Sequence, residues 1–371
     1  MKTSAATHNL NNFIFGLFPR RALKASVRVM VRPGKRNLIT DVAGLRVGQA
    51  ANESVRTGVT VLLADMPVIA AVDVRGGAPG TRETEALDPV SLGPPVDAIV
   101  LSGGSVYGLD AAGGVTEWLA ARGRGFRLLP DARPAPIVPA AILFDLANGG
   151  DKNWSEAPYR ALGIQAAESA AEDFALGNAG AGYGAMAGIY KGGIGSASAI
   201  TDDGFTIGAL VAVNAAGSPL IPGTDVFWAF AFEQNKEFGG RRLRGDFAVS
   251  DLPQDMKGAR ARENTTIAIV ATDADLTRVE LQRMAIMAAD GMARSLRPSH
   301  TPFDGDTVFA ISTAKRAIAE PRPRDVMRLG NIAADCLARA IARGVYEAQT
   351  LGEMRCYRDL FPSPPAGERA G

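Results

Sequence analysis

Thr265 stands where a polar connection turns into an apolar, β-branched run, in Arg262-Glu263-Asn264-Thr265-Thr266-Ile267-Ala268-Ile269-Val270. A threonine at such a junction can attack the carbonyl before it, cut its own chain and emerge as a new N-terminus. One residue then carries both a hydroxyl nucleophile and an α-amine to serve as its base. The same stretch is equally a Thr-rich strand start, and Asn264-Thr265-Thr266 also fits the glycosylation sequon. Asn52-Glu53-Ser54 and Asn153-Trp154-Ser155 fit the sequon too, so that match is cheap, and no secretory signal supports it.

Histidine supply narrows the choice of base. The 371 residues include only His8 and His300, and only two cysteines, Cys336 and Cys356. A three-histidine zinc site and a thiolate metal site are excluded, and a His-based triad would have to use His300. A terminal amine, with an ordinary pKa of ~7.7–8.0, needs no histidine.

Three further places carry polar groups of interest. Asn214 ends an apolar run, where it is either a turn former or an amide donor to a developing oxyanion. Lys191 lies among glycines, as a solvated loop charge or as a cation with backbone packed around it. Asp304-Gly305-Asp306-Thr307 sets two carboxylates two apart. That is a turn, a calcium site lacking the usual Asp-x-Asp-x-Asp-Gly loop, or a pair in which one Asp holds an amine and the other orients a hydroxyl.

The elements that would position these residues are readable from periodicity. Strands are expected at Val59–Leu63, Val68–Val74, Asp97–Leu101, Ile207–Val213, Thr266–Thr272 and Thr307–Ile311. Helices are expected from Ser105, as cap, to Arg122, from about Ala157 to Phe174, from Thr277 to Leu296 and from Asp325 to Glu347. Thr277-Arg278-Val279-Glu280 is a capping box. Strands and helices run throughout, which makes the chain layered α with β. Ser102-Gly103-Gly104-Ser105-Val106-Tyr107-Gly108 lacks the spacing of a nucleophile elbow and the lysine of a phosphate loop, so it reads as a tight strand-to-helix turn. The glycines of 177–195 follow a helix and lack the context of a dinucleotide site.

Composition is that of an ordinary globular protein, 47% hydrophobic and 21% charged, with a net charge of +1. No nucleic-acid footprint and no membrane-length run is visible. Residues 1–36 form a basic extension, either a presequence or a segment upstream of a start near Met30. Residues 352–371 are expected as a C-terminal tail, and a cytoplasmic location is expected.

Taken in order, several segments resemble one family. They are Asn37-Leu38-Ile39-Thr40-Asp41-Val42-Ala43-Gly44-Leu45-Arg46-Val47-Gly48, Asp73-Val74-Arg75-Gly76-Gly77, Leu101-Ser102-Gly103-Gly104-Ser105-Val106-Tyr107-Gly108-Leu109, Gly180-Ala181-Gly182, Asn264-Thr265-Thr266-Ile267 and Asp304-Gly305-Asp306-Thr307. The chain resembles the DmpA-type aminopeptidases, which include β-peptidyl aminopeptidases and nylon-oligomer hydrolases. The resemblance implies one catalytic domain over residues 37–351, α+β in class, built as a four-layer αββα sandwich like that of N-terminal-nucleophile hydrolases. It implies self-cleavage at Asn264–Thr265 into an α chain to 264 and a β chain from 265, assembled as homotetramers. It implies hydrolysis of amide bonds in small peptides, amino-acid amides or esters without metal or cofactor. Thr265 would be the nucleophile, Asn214 the oxyanion donor, Lys191 a partner of the Thr265 hydroxyl or its charge, and Asp304 and Asp306 the flanking pair. Thr with two aspartates tilts the match toward the nylon-oligomer branch, whose substrates are ω-amino-acid oligomers. An uncleaved small-molecule-binding protein on the same scaffold is the alternative of another class.

Overall fold

The strand that begins at Thr265 is buried along its whole length. Ile267, Ile269 and Ala271 enter one core, and Ala268 and Val270 the opposite one, as the alternation of a pleated strand requires. A strand apolar on both faces needs a cover on each side, and the layers of the molecule supply them.

The computed structural model describes residues 31–245, 251–257 and 264–362. Among these, in chain order, the strands are β1 (Val31–Arg32), β2 (Leu45–Asn52), β3 (Thr57–Val74), β4 (Thr81–Arg82), β5 (Val96–Ser102), β6 (Ala140–Ile142), β7 (Met186–Ala187), β8 (Tyr190–Lys191), β9 (Gly193–Thr201), β10 (Thr206–Asn214), β11 (Thr265–Ala274) and β12 (Thr307–Arg316). The α-helices are α1 (Asp110–Ala120), α2 (Tyr159–Glu168), α3 (Arg278–Ala293), α4 (Arg322–Tyr346) and α5 (Tyr357–Leu360).

One sheet runs β1-β9-β10-β11-β12-β3, and the other holds β2, β3, β5, β6 and β4. Leu62, Ile99 and Leu101 meet Leu210, Ile267, Ile269 and Phe309 between the two sheets. Val211, Val213, Val270 and Ala310 pack outward under Leu281, Met284, Leu337 and Ile341 of α3 and α4. Val59, Val61 and Val100 pack the other way, under Ala111, Val115 and Leu162 of α1 and α2. The order is therefore helices, sheet, sheet, helices, the αββα sandwich that the family resemblance implies. Each fully buried Ile or Leu in these cores contributes about 1.5–3 kcal/mol relative to exposure.

Several boundaries differ from the sequence expectation. Val59–Leu63 and Val68–Val74 are not two strands but parts of the single strand β3, whose pairing is irregular between Leu63 and Val68. Its first half serves one sheet and its second half the other. Ser105 does not cap a helix: it has a φ of 52° and opens a 3-10 turn, and α1 begins only at Asp110. The helix expected to reach Phe174 stops at Glu168, because Ala171 exchanges backbone bonds with Val47 at 2.9 and 3.1 Å. Thr277 and Glu280 do form their capping box, and Glu280 continues into a two-point pair with Arg322 of α4 at 2.7 and 2.8 Å.

Residues 31–36 and 352–362 belong to the folded unit rather than to extensions. Val31 and Arg32 pair with Thr201 and Ile200 of β9, and Tyr357 is fully buried among Phe227, Tyr346 and Phe361. His8 and the rest of 1–30, Arg260-Ala261-Arg262, and Ser363-Pro364-Pro365 lie outside the described residues.

Candidate active site

Thr265 is the first residue of β11, and the antiparallel ladder sets it directly opposite Asn214, the last of β10. Both are buried, Thr265 at 4% exposure and Asn214 at 2%. The Thr265 hydroxyl donates to the carbonyl oxygen of Asn264, the peptide immediately before it. The N–H of Gly305 reaches both groups, at 3.2 Å from Thr265 Oγ and 3.1 Å from Asn264 O. A hydroxyl, the peptide carbonyl before it and one backbone donor thus share a buried site. Asn264 is itself 2% exposed, which leaves no room for a glycan and removes the sequon reading.

Gly305 achieves this because it has no side chain. A Cβ there would lie 2.7 Å from Thr265 Oγ and 2.9 Å from Ala78 O. The flanking aspartates hold the loop in place, their peptide carbonyls accepting from Ala78 N and from Arg75 N and Gly76 N.

Their carboxylates do different things. Asp306 Oδ1 accepts from Thr266 N at 2.8 Å, and Oδ2 accepts the main-chain N–H of His300 at 2.9 Å, with His300 Nδ1 also at 2.9 Å. Asp304 accepts from Thr301 N, Thr301 Oγ1 and Ala216 N. Burial, reinforced by the neighbouring Asp306 charge, pushes the Asp304 carboxyl above the usual carboxylate range. Neither carboxylate bonds the Thr265 hydroxyl in the continuous chain.

Asn214 is held from several sides. Its Nδ2 donates to Phe144 O at 3.1 Å, while Oδ1 accepts from Met186 N and Lys257 Nζ, both at 3.0 Å. These contacts settle which way the amide faces. Phe144 is followed by Asp145, fully enclosed, whose oxygens take Thr57 Oγ1 at 2.6 Å and Gly104 N at 2.8 Å. Burial lifts the Asp145 carboxyl to about 6.

Lys191 is not a solvated loop charge, and its Nζ bonds backbone carbonyls and not Thr265 Oγ. It is 0% exposed, and Nζ donates to the carbonyls of Gly182 and Gly192 at 3.0 and 2.7 Å. Burial, only partly opposed by Asp145, brings its pKa down to about 7. Its link to Asn214 is indirect: β8 pairs with β7, and β7 supplies the Met186 N–H that Asn214 accepts. No cluster of three or more metal-ligating side chains occurs among the described residues.

The structure therefore brings Thr265, Asn214, Asp304 and Asp306 into one neighbourhood and sets Lys191 behind it. Sequence reasoning passed over Gly305, Lys257 and Asp145, and weighed His300 only as the base of a triad. Gly305 had a visible signal, a glycine fixed between two acids. Asp145 and Lys257 had none, since Thr57, Gly104 and Asn214 lie 41 or more residues from them in the chain.

Known proteins share this arrangement of segments. The model of peptidase family S58 matches residues 37–356. An uncharacterized aminopeptidase of Mycobacterium tuberculosis is 42% identical over 354 residues, covering 88% of this chain and 98% of the relative. A 6-aminohexanoate-oligomer endohydrolase of Kocuria sp. is 31% identical over 286 residues, 76% of each chain. Two solved structures have the same fold. The β-aminopeptidase of Burkholderia sp. has a TM-score of 0.61 at 22% identity, over 86% of this chain and 89% of that one. The L-aminopeptidase D-Ala-esterase/amidase of Ochrobactrum anthropi, described as a variant of the Ntn hydrolase fold, has a TM-score of 0.60 at 23% identity, over 85% and 88%. From the family match and these relatives, the chain belongs to peptidase family S58, the DmpA-type peptide-bond hydrolases.

Proposed function

We propose that this chain is an aminopeptidase-type amide hydrolase that activates itself by cleaving Asn264–Thr265 and then uses Thr265 as an N-terminal nucleophile. The single observation that carries it is the shared donor: Gly305 N–H lies within hydrogen-bond distance of both the Thr265 hydroxyl and the Asn264 carbonyl.

In the first step Thr265 Oγ adds to the Asn264 carbonyl carbon, and charge builds on Asn264 O where Gly305 N–H already points. The C–N bond breaks, the proton from the hydroxyl goes to the departing nitrogen, and an ester joins Asn264 to Thr265 Oγ. Water hydrolyses that ester to a carboxyl on Asn264 and a free hydroxyl on Thr265. The freed α-amine then removes the hydroxyl proton when Oγ attacks a substrate amide. It returns the proton to the leaving amine, and water releases the acyl group. The Asn214 amide, held by Phe144, Met186 and Lys257, is the side-chain candidate for the oxyanion. The carboxylates of Asp304 and Asp306 flank the amine, and Lys191 supports the backbone behind Asn214.

β11 lies between β10 and β12 in the sheet, so the two chains would stay one folded unit after the cut. Tetramers of such units and a cytoplasmic location accompany this reading; among the described residues no helix is long and apolar enough to cross a membrane. Small peptides, amino-acid amides or esters are the proposed substrates. The likeness to 6-aminohexanoate-oligomer endohydrolases supports a second reading, endo-hydrolysis of ω-amino-acid oligomers. Rates on aminoacyl p-nitroanilides and on aminohexanoate oligomers separate the two.

A denaturing gel tests the core of the proposal. Wild type is expected as two bands that split at residue 264, and Thr265→Ala as one inactive band. A folded wild-type chain that stays intact and still hydrolyses amides would sink it.

A further inference from the structure

His300 is the histidine among the described residues, and no step above uses it. It sits in the loop between α3 and β12 with a φ of 55°, a conformation uncommon for any residue with a side chain. Two of its groups reach the same carboxylate oxygen: main-chain N–H and ring Nδ1 both lie 2.9 Å from Asp306 Oδ2. The other oxygen of that carboxylate takes the N–H of Thr266, one residue past the proposed nucleophile, at 2.8 Å.

A carboxylate is free to turn about its last bond, where the preference is broad and two-fold. Two groups of one residue on Oδ2 remove that freedom, and Oδ1 is then kept on the head of β11. We propose that His300 is a positioning residue: through Asp306 it pins Thr266 and so keeps Thr265 Oγ against the Gly305 amide, an inference that rests on Thr265 being the nucleophile.

The surroundings fit a ring that shares a proton with Asp306. Burial alone would lower the imidazole pKa, but the bond and charge of Asp306 more than reverse this, and the ring is raised above its usual value. The charged groups facing it are Asp306, with Asp304 beyond it, and Arg75 at the end of β3, which opposes protonation; the Ala289 backbone of α3 favours it. Sequence reasoning considered His300 only as a triad base. Its ring lies on the carboxylate and not on the hydroxyl, whose partners are Asn264 O and Gly305 N.

The test compares His300→Ala and His300→Asn in the purified full chain, with kcat and KM for an aminoacyl p-nitroanilide. Asn keeps an N–H near the place of Nδ1 but has no ring to titrate. His300→Ala is expected to lose about 10- to 100-fold in kcat with KM nearly unchanged, the scale of a nucleophile displaced by a fraction of an ångström. His300→Asn is expected to recover most of that loss. A folded His300→Ala with wild-type kcat, or a folded His300→Asn no better than Ala, overturns the proposal. Should the Ala variant not fold, the imidazole itself decides. With His8→Asn a single ring remains in the chain, and its NMR titration must lie above the free value of ~6.5. A titration at or below that value overturns the contact. An active Thr265→Ala would instead remove the nucleophile reading, whatever His300 does.

Discussion

Asn214 and Thr265 face each other as the last residue of β10 and the first of β11, in register at the end of one antiparallel ladder. Backbone hydrogen bonds between two buried strands thereby place the two residues, and Phe144, Met186 and Lys257 orient the amide while Gly305 and Asn264 hold the hydroxyl. Such placement costs nothing at the moment of reaction, which is what makes a donor effective against a developing oxyanion.

Asn214→Ala should therefore leave the fold in place and slow the chemistry. In the proposed mechanism Asn214 is the side-chain oxyanion donor, and losing one such donor costs about 10²–10³ in kcat. The self-cleavage rate, followed by gel densitometry after expression, should fall in the same direction. Equal kcat in the variant would show that Gly305 N–H and other backbone donors suffice.

Gly305→Ala probes the opposite side of Thr265. The added methyl would meet Thr265 Oγ at 2.7 Å and Ala78 O at 2.9 Å. Overpacking of this kind destabilises by about 1–3 kcal/mol. The expected result is a folded chain with a lower urea midpoint and little or no processing on the gel. Full processing would mean that the loop retreats, taking its N–H with it, without harm to the chemistry.

How much of this was legible in the sequence depends on the range of the contact. Thr265 was visible because a polar run meets β-branched residues there, and Asp304 and Asp306 because they flank a glycine. The layers were legible in outline, since β11 and β10 read as unbroken apolar runs. Their facing was not: Ile267 and Ala268 look alike in composition yet enter different cores. β3 was read as two strands because Asp65-Met66-Pro67 interrupts the apolar pattern, whereas the chain only bends there and changes sheet. Lys191 among glycines left two readings open, a solvated loop charge and a cation with backbone packed around it, and its full burial selects the second. That outcome requires the carbonyls of Gly182 and Gly192 to converge on Nζ, a tertiary event. Lys257 was silent for the same reason, its contact to Asn214 spanning 43 residues.

Arg339 in α4 offers a stability test away from the chemistry. Its guanidinium, 1% exposed, bonds Glu237 at 2.6 and 3.0 Å, Asn37 Oδ1 at 2.9 Å and Ser198 O at 2.8 Å. It ties the first described segment, β9 and the 237 loop to one helix. Burial would push the Glu237 carboxyl up, but the Arg339 bond and charge more than reverse this and hold it below its ordinary value. Arg339→Met removes the nearer cation of that buried carboxylate and leaves it Asn37 Nδ2 at 2.6 Å and the more distant Arg343 Nε at 3.8 Å; breaking a buried pair in this way costs up to about 3–5 kcal/mol. The variant's urea midpoint at pH 7 should fall accordingly. The deficit should narrow in acid, because the wild-type pair is lost as pH drops through the depressed Glu237 pKa.

Lys191 should leave its own mark on the pH dependence of stability. Burial brings its amine from 10.5 in the unfolded chain to about 7 in the folded one. Between these values the unfolded state binds a proton that the native state does not. Stability must therefore rise with pH from about 7 upward, and the penalty for burying the cation is fully present only below 7. The uncleaved Thr265→Ala chain isolates this effect from processing. Its urea midpoint should climb between pH 7 and pH 9, and adding Lys191→Met should flatten the climb. The double variant should also be relatively more stable at pH 6, where wild type holds a buried charge against only two backbone carbonyls and a distant Asp145. An unchanged slope in Lys191→Met would mean that the amine keeps its proton in the folded chain, with the two carbonyls compensating the charge in full.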